Sequence, residues 1–135
     1  MQEKDLFEYA VIRVVPRVER EEFLNVGVVL YCAKQKFLQM LYRINEERVG
    51  VFCSGCDVAA VKEHLEAFER ICSGKDDAGS IGKLPIAERF RWLTATRRTV
   101  VQTSKVHPGF CNDAGDELDK LFSQLVDGLS LSVMS

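Results

Sequence analysis

The stretch Phe23–Cys32, Phe-Leu-Asn-Val-Gly-Val-Val-Leu-Tyr-Cys, constrains the fold more than any other part of the chain. As an extended strand it divides into two alternate sets. Leu24, Val26, Val28, Leu30 and Cys32 are apolar throughout. Phe23, Asn25, Gly27, Val29 and Tyr31 are apolar except at Asn25 and bare at Gly27. A strand apolar on both faces belongs in the middle of a sheet that is covered on both sides. The two exceptions, Asn25 and Gly27, are where function can sit on it.

The flanking segments supply the rest of the sheet. Phe7–Pro16 reads as a first strand: Phe7, Tyr9, Val11 and Val15 share a face with Arg13, and Ala10, Ile12 and Val14 share the other with Glu8. Pro16 has no N–H to give a ladder and ends it. The link Arg17–Glu22 is too short for a crossover helix, so the first two strands pair antiparallel. A polar turn at Ala33–Lys36 leads to a third strand, Phe37–Arg43, and completes a meander.

The period then changes. Asn45 is placed to cap a helix over Glu46–Phe52, with Glu46 and Glu47 in its first turn. Asp57 caps a stronger helix, Val58–Cys72, where Val58, Val61, Leu65, Phe68 and Cys72 recur at spacings of three and four. The glycine-rich segment 73–84 reads as a flexible loop. Pro85 opens a helix to Leu93, and Thr99–Ser104 has the β-branched content of a fourth strand. His107-Pro108-Gly109 reads as a turn, Asp113–Val126 as a last helix capped by Asp113, and 129–135 as a tail. The expected fold is one α+β domain over residues 1–135. It has a small, mainly antiparallel sheet, a three-strand meander plus a fourth strand, with three to four helices packed on it.

Charge narrows the function. The net charge is −2, but Lys83–Lys105 holds six basic residues against Glu88 alone. That segment carries +5 and leaves −7 for the rest, a poor balance for a general DNA binder, whose affinity comes from neutralised phosphates. No apolar run reaches the roughly 20 residues of a membrane span. The first residues, Met-Gln-Glu-Lys-Asp, are not those of a signal peptide. With five cysteines, an odd number, the expectation is reduced thiols and a cytoplasmic location.

Few motifs carry chemistry. Cys53-Ser54-Gly55-Cys56 is one C-x-x-C, without the second pair that zinc requires and without a strand leading into it, so no metal or cofactor is expected. His64 sits near the rim of a polar helix face, where a solvated side chain is the plain reading. His107 stands after the fourth strand, where a loop histidine can act in function or simply bond backbone. The remaining polar set is Arg13, Glu22, Asn25, Arg91, Gln102 and His107. A buried Arg13 needs an acid or several carbonyls, and Glu22 can supply the acid. One reading of this set is a structural network tying sheet to helix. The other is a small polar pocket for an anionic ligand or a partner's carboxylates.

Tyr9-Ala10-Val11-Ile12-Arg13-Val14-Val15-Pro16 followed by Glu22–Leu30 resembles the opening of the bacterial family called domain of unknown function 3037. Arg89-Phe90-Arg91-Trp92-Leu93-Thr94, Thr99–Ser104 and His107-Pro108-Gly109 extend the resemblance, and the helix Leu118–Val126 fits it. It covers nearly the whole chain, with 45–84 matching only in general character. The family carries no established activity. Its members often accompany kinases that resemble the persistence kinase HipA, so the resemblance implies a protein partner of that kind. The motif positions that carry over are Arg13, Glu22, Asn25, Gly27, Arg91, Gln102 and His107.

The leading expectation is a non-catalytic accessory or protein-interaction module. The alternatives are an anionic-ligand-binding or catalytic domain built on Arg13, Asn25, Arg91, Gln102 and His107, and a weak single-strand nucleic-acid binder. The last would use Arg89, Arg91, Trp92, Arg97 and Arg98 in the basic segment 89–98.

Overall fold

Five strands form one sheet in the computed structural model, which describes residues 4–15, 23–52, 57–75, 78–97 and 99–127. They are β1 (Asp5–Val14), β2 (Leu24–Cys32), β3 (Phe37–Tyr42), β4 (Val101–Thr103) and β5 (His107–Cys111). The order is β3-β2-β1-β4, with β5 also paired to β1, and every pairing is antiparallel. The helices are α1 (Glu46–Phe52), α2 (Val58–Ser73), the single turn α3 (Gly79–Gly82), α4 (Ile86–Leu93) and α5 (Ala114–Phe122). A π-helical turn, Ser123–Asp127, continues α5. The fold is α+β.

The helices start where the sequence places their caps. Asn45 Oδ1 accepts from Arg48 N–H at 3.0 Å, Asp57 Oδ1 from Ala60 N–H at 3.2 Å, and Asp113 Oδ1 from Gly115 N–H at 2.8 Å. Gly74, at φ +67°, ends α2 in the left-handed conformation.

Both faces of the sheet are covered. On one face, Ala10, Ile12, Val14, Val26 and Val29 pack with Val61, Leu65 and Phe68 of α2 and with Phe90 and Leu93 of α4. On the other, Phe7, Val28, Leu30 and Cys32 pack with Leu118 and Leu121 of α5 and with Cys111. Leu30, Leu65 and Leu118 are all fully buried, and each contributes about 1.5–3 kcal/mol.

Two expectations require correction. First, strict alternation along β2 fails. Ile12 pairs with Gly27 and Arg13 with Asn25, so Val26 is the extra residue of a bulge. Asn25 therefore shares a face with Val28 and Leu30, while Val26 joins the α2/α4 core. Second, His107-Pro108-Gly109 is the start of β5 and not a turn. Pro108 is tolerated because β5 is an edge strand. Gly109 is needed because a Cβ there would lie 2.6 Å from the Phe7 ring. The break in the edge falls at Ser104–Val106 instead. There the Ser104 hydroxyl accepts the Val11 N–H at 2.9 Å and Ser104 N–H donates to Val11 O at 2.8 Å, which fills the ladder between β4 and β5. Within the segment 73–84 the structure describes the single turn α3. The chain there is fastened by Arg89, which donates to Leu84, Ile71 and Cys72 carbonyls at 2.9 Å each. The tail 129–135 lies outside the described residues.

Candidate functional site

The bulge at Val26 builds the site. By returning Asn25 to the α5 face it sets Asn25 directly across from Arg13, and Gln102 of β4 flanks Arg13 on the other side. Asn25, Arg13 and Gln102 thus form one polar row across three strands. The row lies at the end of the sheet where the α5 face passes to the π-helical turn. Asn25 Nδ2 donates to Leu125 O of that turn at 3.1 Å, which leaves Asn25 Oδ1 as the acceptor on the opposite side of the amide. Gln102 Nε2 donates to Thr99 O at 2.9 Å.

Arg13 is half-buried, with its guanidinium carbon 4.0 Å above the Phe23 ring. Burial holds the pKa of that guanidinium below its ordinary value. Among the described residues no carboxylate pairs with it. Arg13 Nε and Asn25 Oδ1 are the buried side-chain atoms without a hydrogen-bond partner among those residues. One is a donor and the other an acceptor, and they belong to residues that face each other across β1 and β2. Leaving such atoms unmet costs about 1–3 kcal/mol each. Beside the row, a cavity of about 190 Å³ is lined by Leu24, Asn25, Arg43, Asn45, Arg48 and Val126.

The rest of the sequence-derived set is dispersed. His107 lies on the same face of the sheet, opposite Tyr9, with the rings 5.3 Å apart. Tyr9 is four residues from Arg13 along β1, about 14 Å in an extended strand. Arg91 is on the opposite side of the sheet, exposed on α4, where it lines a cavity of about 120 Å³ with Glu8, Tyr31 and Phe90. A single pocket containing Arg13, Asn25, Arg91, Gln102 and His107 does not form, because the side chain of Arg91 and the polar row are separated by the sheet. Glu22 lies outside the described residues, as do Cys53, Cys56 and Arg98.

The basic segment is also spent internally. Arg89 is 9% exposed and bonds three carbonyls. Arg97 donates to Leu93 O at 2.8 Å, to Ala95 O at 3.2 Å and to Trp92 O, and lies 4.4 Å over the Trp92 ring. Trp92 in turn meets Phe68 edge-on. Of the described arginines in 89–98, only Arg91 is exposed. His64 is likewise no solvated side chain. It is half-buried, edge-on to Phe68 at 5.3 Å, and burial together with the Arg97 charge lowers its pKa.

Sequence reasoning missed Phe23 as the platform under Arg13, and it missed an exposed apolar pair, Leu6 (52% exposed) facing Phe110 (66%) across β1 and β5. The signal for the pair was present only once β5 was recognised as a strand. Among the described residues no helix is long and apolar enough to cross a membrane, and no cluster of three metal-ligating side chains forms.

Comparison with known proteins gives one match. A family model described as Protein of unknown function (DUF3037) fits residues 9–126, a span that contains the whole polar row. No curated protein and no solved structure matches the chain.

Proposed function

We propose, for a chain that belongs to the DUF3037 family of proteins of unknown function, that it works as a non-catalytic interaction module whose Asn25–Arg13–Gln102 row grips an acidic segment of a partner protein. The observation that carries this reading is the half-buried Arg13 guanidinium, which has no carboxylate among the described residues and lies over the exposed Phe23 ring in a row with Asn25 and Gln102. The guanidinium is the complement of a carboxylate. An extended peptide with an Asp or Glu supplies one. The Phe23 ring, 46% exposed under Arg13, offers apolar area to the same segment. A HipA-like kinase is the partner that the family resemblance suggests for the role. Arg91 and His107 are not part of this reading.

The test is titration of the isotope-labelled protein with short extended peptides that carry one central Asp or Glu, followed by NMR. The expected result is shifts confined to the Arg13 side chain, the Asn25 and Gln102 amides and Phe23. They should be lost in Arg13→Ala and weakened in Arg13→Lys, which keeps charge but not the planar fork. Binding of a neutral Asn or Gln peptide with equal strength would sink the reading. If inorganic phosphate occupies the row as well as the peptides do, the module takes small anions and the partner role is wrong.

A further inference from the structure

The two edges of the sheet are built differently. The β4/β5 edge is short, interrupted at Ser104–Val106, and carries Pro108. These features blunt an edge against pairing. The β3 edge carries none of them: Phe37-Leu38-Gln39-Met40-Leu41-Tyr42 has no charge and no proline, and its pairing with β2 is continuous. Arg43 N–H donates to Val26 O at 2.8 Å, so the period of two turns Phe37, Gln39 and Leu41 toward β2. Leu38, Met40 and Tyr42 then point their N–H and C=O groups outward, where no strand among the described residues meets them.

That outward set is symmetric about Met40. A second β3 laid antiparallel matches Leu38 with Tyr42 and Met40 with itself, and each match allows an exchange of two backbone bonds. Opposite charges stand near the two ends, and exposed Arg43, which follows Tyr42, falls opposite Phe37 of the other copy. Exposed Lys36 stands at the start of β3. At the other end, exposed Glu69 accepts from the Tyr42 hydroxyl at 3.5 Å, and Glu66 also acts on that hydroxyl. Antiparallel pairing carries the Lys36 end of each copy to the Glu66/Glu69 end of the other. Along this edge runs a cavity of about 430 Å³, lined by Lys36, Leu38, Met40, Glu69, Cys72 and Ile86, with room for side chains from an added strand.

We propose that β3 is the interface for a second copy of this chain, the two β3 strands joining antiparallel about a two-fold axis at Met40 to make one continuous sheet. The interface is isologous and closes on itself, so it ends at a dimer. It leaves the Asn25–Arg13–Gln102 row uninvolved.

The experiment is sedimentation over a wide concentration range on the wild type, on Lys36→Glu and on Glu69→Lys. Both substitutions are at exposed positions, and circular dichroism checks that the fold persists. The wild type is expected to dimerise and each single variant to move to monomer, because each brings like charges together at both ends. Mixing the two variants should restore a dimer, since the carboxylate introduced by Lys36→Glu in one copy then meets the ammonium introduced by Glu69→Lys in the other. This rescue separates an intermolecular pair from one within a protomer. Amide exchange should be slowed at Leu38, Met40 and Tyr42 in the dimer. A wild type that stays monomeric overturns the proposal, and so does a dimer that neither variant weakens or that mixing fails to restore.

Discussion

Single side chains decide how this sheet is completed. Ser104 stands in for a missing strand residue, and its buried hydroxyl takes the Val11 N–H that no carbonyl reaches. Ser104→Ala should orphan that donor and cost about 1–3 kcal/mol, read as a lower urea midpoint at unchanged slope; an unchanged midpoint would refute the assignment. His64 gives the pH dependence. Its folded pKa lies below the ordinary 6.5, through burial first and the Arg97 charge second. As pH falls, the unfolded chain takes the proton before the folded one does. The contribution of His64 to stability is therefore complete above about 6.5 and is lost as pH drops through the folded value. Urea titrations between about pH 7 and pH 5.5 should show this decline. His64→Gln should flatten it, and an equal slope in the variant would assign the effect to other groups.

At the level of elements, β2 is the controlling strand. It lies between β1 and β3, contributes side chains to both cores, and holds the bulge that sets Asn25 opposite Arg13. Gly27 beside the bulge is required by closeness, since a Cβ there would meet Leu41 O at 2.7 Å and Tyr42 Cβ at 2.9 Å. Neither is a flexible side-chain end that can move aside. Gly27→Ala should destabilise by about 1–3 kcal/mol and should loosen the β2–β3 pairing first, visible as faster exchange of β3 amides. Uniform exchange rates across the sheet in that variant would argue against a local clash. The α5 helix acts on the same site from the other side, since its π-helical continuation presents Leu125 O to Asn25 and so fixes which end of the amide is left unmet.

For the whole molecule, two cores on opposite sides of one sheet make the described thiols a reporter of global opening. Cys32 is fully buried, Cys72 is pushed up to about 12 and Cys111 to about 11, mainly by burial. Thiolate is the reactive form, so these three should alkylate at the rate of unfolding and not at the rate of a free thiol. Peptide mapping after a brief iodoacetamide pulse should find Cys32, Cys72 and Cys111 unmodified in the native protein and modified in urea. Rapid native labelling at any of them would show that its core opens locally. Cys32 and Cys111 come from strands on either side of β1 and meet in the core on the α5 face, where the two thiols hydrogen-bond.

The sequence by itself determined the α+β class, the meander β1–β2–β3, the three capped helices and the position of β2 in the middle. These follow from local causes: the period of apolar residues, the cap chemistry of Asn45, Asp57 and Asp113, and the shortness of the connection Arg17–Glu22. It also drew attention to Arg13, Asn25 and Gln102 as polar residues in apolar strands. Only the tertiary structure decided that these three meet and that Arg91 does not. A bulge reverses the face of every residue before it without leaving a mark on composition, so strict alternation grouped Asn25 with Gly27 and missed the pairing with Arg13. The same holds for β5, where Pro108 and Gly109 read locally as a turn. An open edge and the Phe7 ring are long-range facts, and they are what allow that segment to be a strand.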